Sequence, residues 1–405
     1  MASSWQSLAA PAIFYVAAAA LAATAALPAV LAAHVLAGPA VAQGCALAAA
    51  AAFCVLHALA LAPRAAVKGA PSRLVVVTGC DSGFGLAVAT ALGARGFRVL
   101  AGCLTPAGAR GLLGAPNVDA FQLDVTSAPS LAALAARVAA ARAGGAARLF
   151  CVVNNAGVGA SGPVDWTSLE TYRRVMEVNF LGVVAVTKAL MGALLDDAAA
   201  ARAAGEPPVR VVNISSSAGL IAAPQMSAYA ASKFAVEAFS DSLRREGAPW
   251  GLRVTLVEPS FFMTAILAGG SSPPFATLDA AAQARWGPAW AEANGRGSDT
   301  VMANAEPSAL CAAVIEAAAC DERPLARVRA GTAGTYILPY VAALPAWLSD
   351  WLISVAAPSA PEPAGVAAAR AAPAAAGIGT SAPALAKRRQ RSGSVAARGA
   401  GEEAR

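Results

Sequence analysis

The chain has 405 residues, of which 57% are hydrophobic and only 13% are charged. It is too apolar for a disordered protein and long enough for one large domain with additional segments. Lys and Arg total 30 against 24 Asp and Glu, a net charge of +6, and +4 of that excess lies in residues 358–405. The rest of the chain is nearly neutral, so no nucleic-acid partner is expected.

The chain has two histidines, His34 and His57, and both lie in an N-terminal region without charged residues. Everything after residue 57 must work without imidazole, which excludes a Ser-His-Asp hydrolase, a Cys-His protease and a His-ligated metal centre there. The seven cysteines are widely spaced and include no Cys-x-x-Cys pair, so we expect neither a metal site nor a disulfide framework. A reducing compartment is the simplest interpretation.

Residues 1–63 contain two apolar runs, 8–36 and 41–61. As a helix the second run would be about 31 Å long, which matches a hydrocarbon core of about 30 Å. We expect a membrane anchor of one or two spans, and an Ala-rich buried helical hairpin is the alternative. A secretory signal would need a basic start and a mitochondrial transit peptide would need arginines, but the first arginine is Arg64. Basic residues directly after the second run favour a domain on the cytosolic side.

Short β-rich runs alternate with helical stretches from residue 72 onward. The predicted strands are 74–77, 97–103, 120–123, 149–153, 209–214 and 252–257. Strands that alternate with helices imply βαβ units and a parallel sheet. We therefore predict one α/β domain over residues 72–330, a doubly wound parallel sheet of the Rossmann type.

Three further segments are predicted toward the C-terminus. Residues 265–305 break the alternation with Gly, Pro and isolated aromatic residues, and they are expected to form a substrate lid. Residues 331–357 are apolar again and predict a helical segment, either a membrane-dipping lid or an ordinary apolar helix. Residues 358–405 are low in complexity and expected to be disordered, with a basic cluster at 387–391 that is either solvated or in contact with anionic lipid.

Three glycines, Gly79, Gly83 and Gly85, lie between the first predicted strand and a helical stretch. At such a place the backbone can approach a pyrophosphate, and the amides of a helix N-terminus can face it. The spacing is Gly-x-x-x-Gly-x-Gly, and an ordinary tight turn also uses glycine. The strand–loop–helix context is what favours dinucleotide binding.

A second group of residues, Ser216, Tyr229 and Lys233, suits proton transfer. Tyr229 and Lys233 are four residues apart, so on a helix they share a face. A tyrosine has an ordinary pKa of about 10, and a nearby ammonium favours its phenolate form. Ser216 follows a predicted strand and can hydrogen-bond a substrate oxygen. An ordinary amphipathic helix would also place Tyr and Lys in this way, but the serine and the glycine loop make the combination uncommon.

Several motifs resemble the short-chain dehydrogenase/reductase family in their order and spacing. They are residues 78–85, 154–157, Asn179, Ser216, Tyr229-x-x-x-Lys233, Pro259 and Thr264. The match covers about residues 72–265, and the stretches 168–179 and 233–244 are similar to the branch with retinol, hydroxysteroid and 3-hydroxybutyrate dehydrogenases. The resemblance implies an NAD(P)-dependent oxidoreductase that interconverts alcohols and carbonyl compounds.

The resemblance also implies roles for the matching residues. Tyr229 would give or take the proton, Lys233 would lower the pKa of Tyr229 and hold the nicotinamide ribose, and Ser216 would orient the reacting oxygen. Asn179 would anchor a proton-relay water. The residues expected to bind the cofactor are Gly79, Asp81, Ser82, Gly83, Phe84, Gly85, Asp124, Asn155, Ala156, Gly157, Tyr229, Lys233, Pro259 and Thr264.

Within that set, Asp124 would lie at the adenine and Thr264 at the nicotinamide. Two positions depart from the family pattern. Ser260 stands where the family's Pro-Gly turn has glycine, and Met263 stands where many retinol-type members have a basic residue. These departures affect details of the nicotinamide pocket and not the class of reaction.

The sequence alone does not decide between NAD and NADP. An acidic residue about 20 positions after the glycine loop commonly binds the ribose hydroxyls of NAD, but no Asp or Glu stands there. No basic residue follows directly either, and Arg110 is the nearest. The resemblance to NAD-preferring relatives favours NAD, with NADP left open.

The substrate is expected to be an apolar alcohol or its ketone or aldehyde, of the retinoid or hydroxysteroid class. Phe261 and Phe262 are the expected substrate contacts, and the lid adds further aromatic residues. A 3-hydroxybutyrate-type hydroxy acid is the alternative, for which Arg285 is the available cation. The second alternative is a non-catalytic cofactor-binding scaffold of the same fold.

The expected location is a membrane, that of the endoplasmic reticulum, with the catalytic domain facing the cytosol. A homodimer is a further possibility, by analogy with relatives that pair through the helices near 170–195 and 229–246.

Overall fold

The computed structural model describes residues 65–264, 273–356 and 361–371. They form a seven-stranded sheet of parallel neighbours in the order β3-β2-β1-β4-β5-β6-β7. The strands are β1 (Arg73–Thr78), β2 (Arg98–Cys103), β3 (Val118–Gln122), β4 (Arg148–Asn154), β5 (Arg210–Ile214), β6 (Arg253–Pro259) and β7 (Arg327–Ala330). Helices cover both faces, which confirms the predicted doubly wound α/β fold.

The helices follow the strands in alternation as far as β6, and several more follow after it. They are α1 (Gly83–Ala94), α2 (Pro106–Gly111), α3 (Ala128–Arg142), α4 (Leu169–Met176), α5 (Gly182–Ala203), α6 (Ser227–Gly247), α7 (Ala280–Trp286), α8 (Pro288–Ala303), α9 (Ser308–Cys320), α10 (Thr332–Tyr336), α11 (Leu338–Ala342), α12 (Ala346–Ala356) and α13 (Ala364–Ala371). A π-helical segment, Glu177–Leu181, joins α4 to α5.

The sheet is buried on both faces because its central strands consist largely of Val, Leu and Cys. Successive side chains of a strand point to opposite faces, and β1 shows the result. Val75 and Val77 pack with α1 and α9, whereas Leu74 and Val76 pack with α3 and α5. All four side chains are fully buried. A continuous apolar run is typical of a parallel strand covered by helices on both sides.

The strand order changes direction between β1 and β4, which are adjacent in the sheet although β2 and β3 separate them in sequence. Ligands of open α/β sheets bind at such a switch point, outside the carboxyl ends of the strands. The loop 79–85 and the loop 155–158 both leave the sheet there. Ser216 after β5 and Ser260 after β6 follow along the same edge.

One helical run within the described residues, Leu169–Ala203, is long and apolar enough to cross a membrane by length and composition. It comprises α4, the π-helical segment and α5. Its residues Val186, Leu190 and Leu194 are buried against the sheet, as in the core helix of a globular domain. The anchor expected in residues 1–63 lies outside the described residues.

The C-terminal part differs from expectation in one place. The predicted disordered tail begins at residue 358, but Ala364–Ala371 form a helix that packs on α7. Gly287 and Gly365 allow this approach, since a Cβ on Gly287 would lie 2.8 Å from Cβ of Ala364. Alanine is the strongest helix former, so a partner surface suffices to order this short stretch. The basic cluster 387–391 lies outside the described residues.

Candidate active site

The glycine loop is folded tightly against the end of β4. Gly79 has φ +71°, and a Cβ there would lie 2.7 Å from Cα of Ala156. A Cβ on Gly85 would lie 2.2 Å from the carbonyl oxygen of Gly79. Both contacts are shorter than any side chain permits, so glycine is required at these two positions for the loop to adopt this shape.

The N-terminus of α1 is available to an anion. Ser82 is its N-cap residue, but the Ser82 side chain makes no capping hydrogen bond. The first amides of a helix lack partners within the helix and carry the positive end of its dipole. A pyrophosphate fits this position because the glycines leave the backbone uncovered. Thr264 lies beside the same loop, with its Cγ2 3.9 Å from where a Cβ on Gly83 would be.

Asn155 and Thr78 connect the two loops of the cleft. Oγ1 of Thr78 accepts hydrogen bonds from the amides of Asn155 (3.1 Å) and Ala156 (3.0 Å). Nδ2 of Asn155 donates to the carbonyls of Thr78 (2.9 Å) and Gly79 (3.1 Å). The Asn155 side chain therefore holds the loop after β4 against the glycine loop and fixes the shape of the cleft between them. Gly157 is the next residue of the same loop.

The structure brings Ser216, Tyr229 and Lys233 together at the end of β5. The Ser216 Oγ donates to the Pro259 carbonyl at 3.4 Å and accepts from the Ala218 amide at 3.1 Å. Ser216 also lowers the pKa of Tyr229, whose side chain lies near it. Nζ of Lys233 lies 5.5 Å from the Tyr229 ring centroid and donates to the carbonyl of Ile214 at 2.9 Å. Two hydroxyls and an ammonium thus converge at the end of β5.

Burial shifts the two titrating groups in opposite directions. It raises the pKa of Tyr229 to about 12, and the neighbouring Ser216 side chain partly opposes this. It lowers the pKa of Lys233 to about 8, and the negative charge of Glu237 partly opposes that. The phenol is therefore protonated at neutral pH, and forming the phenolate requires added positive charge beside it.

Asn179 lies in the π-helical segment and is fully buried. Its Oδ1 accepts from the amide of Val158 at 2.7 Å, and its Nδ2 donates to the Val158 carbonyl at 2.9 Å and to Ser232 Oγ at 3.1 Å. The side chain thus joins the loop after β4 to α6. This arrangement stabilises the helix that carries Tyr229.

Asp124 was expected at the adenine, and the structure gives its carboxylate a local role. Oδ1 of Asp124 accepts from the amide (2.9 Å) and the hydroxyl (2.7 Å) of Thr126. This bond pattern closes the turn between β3 and α3. Asp124 remains half-buried at the carboxyl edge of the sheet.

The two predicted substrate phenylalanines behave differently. Phe261 is 37% exposed, but Phe262 is only 3% exposed and packs edge-on against Phe84 at 5.8 Å between centroids. The Phe262 ring packs in the apolar core, and its contact with substrate stays a prediction. The Phe84 ring serves the same packing.

Ser260 stands where the family pattern has glycine, and Gly331 on the opposite side leaves space for the serine side chain. Gly331 has φ +85°, and a Cβ on it would lie 2.2 Å from Oγ of Ser260. Ser260 also donates its amide to the Ala330 carbonyl at 3.0 Å. The turn after Pro259 is thus held against β7, while Met263 nearby is exposed.

Arg285, the candidate cation for a hydroxy acid, is already paired. Its Nε and Nη2 donate to the two carboxylate oxygens of Asp165 at 3.0 and 2.9 Å, and Trp286 Nε1 donates to the same carboxylate at 2.9 Å. This pair connects α7 to the loop before α4. Asp165 was not expected at this site, because no local motif in the sequence singles it out.

The lid aromatics gather around Trp166, the neighbour of Asp165. The Trp166 centroid lies 5.9, 5.8 and 5.3 Å from those of Phe275, Trp286 and Trp290. Trp166 itself is buried. An apolar wall made of four aromatic rings therefore fixes the segment 275–290 against the body of the domain.

A partly buried charge network, which the sequence did not predict, lies between β7 and α6. Arg327 of β7 bonds to Glu237 and Asp241 on α6 at 3.0 and 3.1 Å and pairs with Glu258 at 3.1 Å. Arg329 pairs with the same Glu258 at 3.2 Å. Glu237 stands four residues after Lys233, so the shared helix face was the available signal.

Comparison with known proteins agrees with this geometry. A family model described as short chain dehydrogenase matches residues 73–272. Retinol dehydrogenase 5 of Mus musculus is 42% identical over 229 residues, which are 55% of this chain and 68% of that protein. The chain belongs to the short-chain dehydrogenase/reductase family.

Other members of the family align over similar parts of the chain. The mitochondrial D-beta-hydroxybutyrate dehydrogenase of Rattus norvegicus is 42% identical over 202 residues, 48% of this chain and 56% of that protein. A solved short-chain dehydrogenase from Streptomyces avermitilis has a TM-score of 0.56 and 30% identity, and the match covers 70% of this chain and 98% of that one.

Family membership makes the chain an NAD(P)-dependent oxidoreductase of alcohols and carbonyl compounds. The glycine loop and the open N-terminus of α1 fit the dinucleotide pyrophosphate. Within the described residues, no group of three or more His, Cys, Asp or Glu side chains could hold a metal ion.

Proposed function

We propose that the chain is a membrane-associated dehydrogenase that interconverts an apolar alcohol, of the retinoid or hydroxysteroid class, with its aldehyde or ketone. The observation that supports it most directly is that Ser216 and the Lys233 ammonium both lie beside Tyr229, with Nζ of Lys233 5.5 Å from the Tyr229 ring centroid. The arrangement lies at the carboxyl edge of the sheet, next to the loop that suits a dinucleotide.

In this proposal each residue has a defined task. Ser216 donates to the substrate oxygen and orients it, and Tyr229 takes the hydroxyl proton during oxidation and returns it during reduction. The nicotinamide, when bound, takes or gives the hydride at the same carbon. Lys233 supplies the positive charge that lowers the pKa of Tyr229 and is positioned to reach the nicotinamide ribose. Asn179 keeps α6 in register with the cleft and anchors a relay water.

The remaining residues of the cleft would hold the dinucleotide. The loop from Gly79 to Gly85 and the α1 amides take the pyrophosphate, as helix N-termini do. Asn155, Ala156 and Gly157 shape the wall opposite. Pro259 and Thr264 would meet the nicotinamide end, and Asp124 the adenine end.

An apolar substrate is supported by the lid. The rings around Trp166 provide apolar surface, and exposed Phe261 adds to it. Arg285 would have to leave Asp165 before it could bind a carboxylate, which counts against a hydroxy-acid substrate. The printed name of the mouse relative, a retinol dehydrogenase, agrees with this choice.

Membrane association is supported by α12 in addition to the apolar residues 1–63. Trp347, Trp351 and Val355 recur every four residues and are 72, 57 and 67% exposed. Such an aromatic and aliphatic stripe suits the interface of a membrane. We place the enzyme in the endoplasmic reticulum membrane with this domain toward the cytosol. Trp347→Glu should raise KM for an alcohol supplied in vesicles and leave KM unchanged in detergent.

A homodimer is supported by apolar side chains on neighbouring elements. Leu169 on α4, Leu181 in the π-helical segment and Phe234 on α6 are 63, 43 and 44% exposed. Pairing of two copies through this face would cover them. Sedimentation of the detergent-solubilised protein should give a mass of two chains. The Phe234→Glu variant should give the mass of a single chain.

A substrate screen on the detergent-solubilised full chain tests the proposal. Retinol, hydroxysteroids and 3-hydroxybutyrate are each paired with NAD and with NADP, and reduced nicotinamide is followed by absorbance. Turnover of an apolar alcohol supports the proposal. Turnover of 3-hydroxybutyrate alone would replace the substrate class. Dinucleotide binding without any turnover would favour the non-catalytic scaffold.

A further inference from the structure

The chain lacks an acidic residue where many dinucleotide-binding domains have one. In these domains a carboxylate at the end of the second strand accepts hydrogen bonds from the ribose hydroxyls of NAD. Here β2 ends at Cys103, and the first acidic residue after it is Asp119, within β3. The end of β2 supplies no carboxylate of its own.

We propose that Asp81, from the glycine loop, supplies that carboxylate and makes the enzyme prefer NAD over NADP. Its Oδ2 accepts from the amide of Leu104 at 2.6 Å, and its Oδ1 accepts from the amide and the hydroxyl of Thr105 at 2.9 and 2.7 Å. Leu104 and Thr105 directly follow β2. The carboxylate is therefore held at the strand end from 23 and 24 residues away in sequence.

The residues around the Asp81 carboxylate leave little free space. A Cβ on Gly108, in α2, would lie 2.4 Å from Oδ1 of Asp81. Thr105 also caps α2, through a 2.9 Å bond from the Gly108 amide to Thr105 Oγ1. Any side chain at position 108 would displace Asp81, so the position of the carboxylate depends on glycine at the start of α2. Burial and then the charge of Asp81 raise the pKa of the Cys103 thiol to about 11.

A carboxylate at this position would distinguish NAD from NADP by charge. Each carboxylate oxygen can accept about two hydrogen bonds, and Oδ2 receives one from the Leu104 amide. It therefore retains capacity for a ribose hydroxyl and would repel a ribose phosphate. Arg110 in α2 is the cation that could favour the phosphate instead. Arg95 pairs with Glu316, and Arg98 begins β2 at the opposite edge of the sheet.

This inference depends on the proposed cofactor cleft, and binding measurements on the full chain separate the two. Fluorescence titration gives Kd for NADH and for NADPH without any substrate. The wild type should bind NADH more tightly, and Asp81→Ser should shift the ratio of the two constants toward NADPH by about 10- to 100-fold, the size expected for losing a charged hydrogen bond.

Two further variants make the test specific. Asp81→Ser combined with Leu104→Asp, which restores an acid at the strand end, should recover the NADH preference. Asp119→Ser, at an exposed acid that pairs with Arg137, should leave the ratio unchanged. If Asp81→Ser does not fold, Thr105→Val should shift the ratio in the same direction by a smaller factor.

Several outcomes would overturn the inference. A wild type that prefers NADPH, or an Asp81→Ser variant that binds NADH with an unchanged ratio, contradicts it while leaving the proposed function intact. A loss of NADPH binding in Arg110→Ala, together with NADPH preference in the wild type, would assign the specificity to Arg110. A folded wild type that binds neither dinucleotide would contradict the proposed function itself.

Discussion

The carboxylate of Glu237 accepts a 3.0 Å hydrogen bond from Arg327 of β7. Glu237 lies on α6, one helical turn after Lys233. Burial raises the pKa of Glu237, and Arg327 partly opposes this shift. The negative charge of Glu237 in turn opposes the effect of burial on the Lys233 ammonium. A strand at the edge of the sheet is thereby connected to the proton-transfer residues.

Glu237→Gln should therefore change the pH dependence of alcohol oxidation. The Lys233 pKa lies near 8, so the ammonium is present below that pH and is lost above it. Removing the neighbouring negative charge lowers this pKa further, and the alkaline decline of kcat/KM should move to lower pH. Activity near pH 8 should fall by about two- to fivefold, which corresponds to a downward shift of the Lys233 pKa by about half to one pH unit.

The control for this variant is Glu292→Gln, at an exposed carboxylate that pairs with Arg296 within α8. Its pH profile should match that of the wild type. Coinciding profiles for Glu237→Gln and the wild type would show that Glu237 does not influence Lys233.

Gly85→Ala should weaken dinucleotide binding. The added methyl would lie 2.2 Å from the Gly79 carbonyl oxygen, so the loop must move away from the pyrophosphate position. A misfit of this kind costs about 1–3 kcal/mol, and Kd for NADH should rise accordingly. Gly192→Ala is the matched control, because open space surrounds Gly192 on α5. An unchanged Kd for Gly85→Ala would contradict the position of the cofactor.

Arg285→Glu should loosen the lid. The variant places two carboxylates together at Asp165 and removes an exposed ion pair that connects the lid to the domain. KM for an apolar alcohol should rise by up to about fivefold, with a smaller change in kcat. Arg296→Glu serves as the control within α8. Loss of activity only toward 3-hydroxybutyrate would instead assign Arg285 to substrate binding.

Most of the sheet could be predicted from the sequence because strands buried on both faces are continuous apolar runs. The exception is β7, Arg327–Ala330, which alternates arginine with small apolar residues. Its arginines are explained only by Glu237 and Glu258, which are distant in sequence. A strand that is stabilised by ion pairs gives no hydrophobic signal.

The site shows the same division between local and distant information. The spacing of Tyr229 and Lys233 is a property of one helix and was predictable. The partners of Asp81 and Arg285 lie 23 to 24 and 120 residues away, so their hydrogen bonds depend on the folded chain. Phe262 was predicted to contact substrate because of its position after β6, and its packing against Phe84 could not be predicted from that position.

Tyr229→Phe tests the central claim most directly. The change keeps the ring, which preserves packing beside Lys233, and removes only the hydroxyl that exchanges the proton. Turnover of an apolar alcohol should fall by about 10²–10⁴-fold, the usual contribution of a positioned acid or base. Kd for NADH, measured on the same preparation, should stay close to the wild-type value. Substantial turnover in this variant would contradict the account.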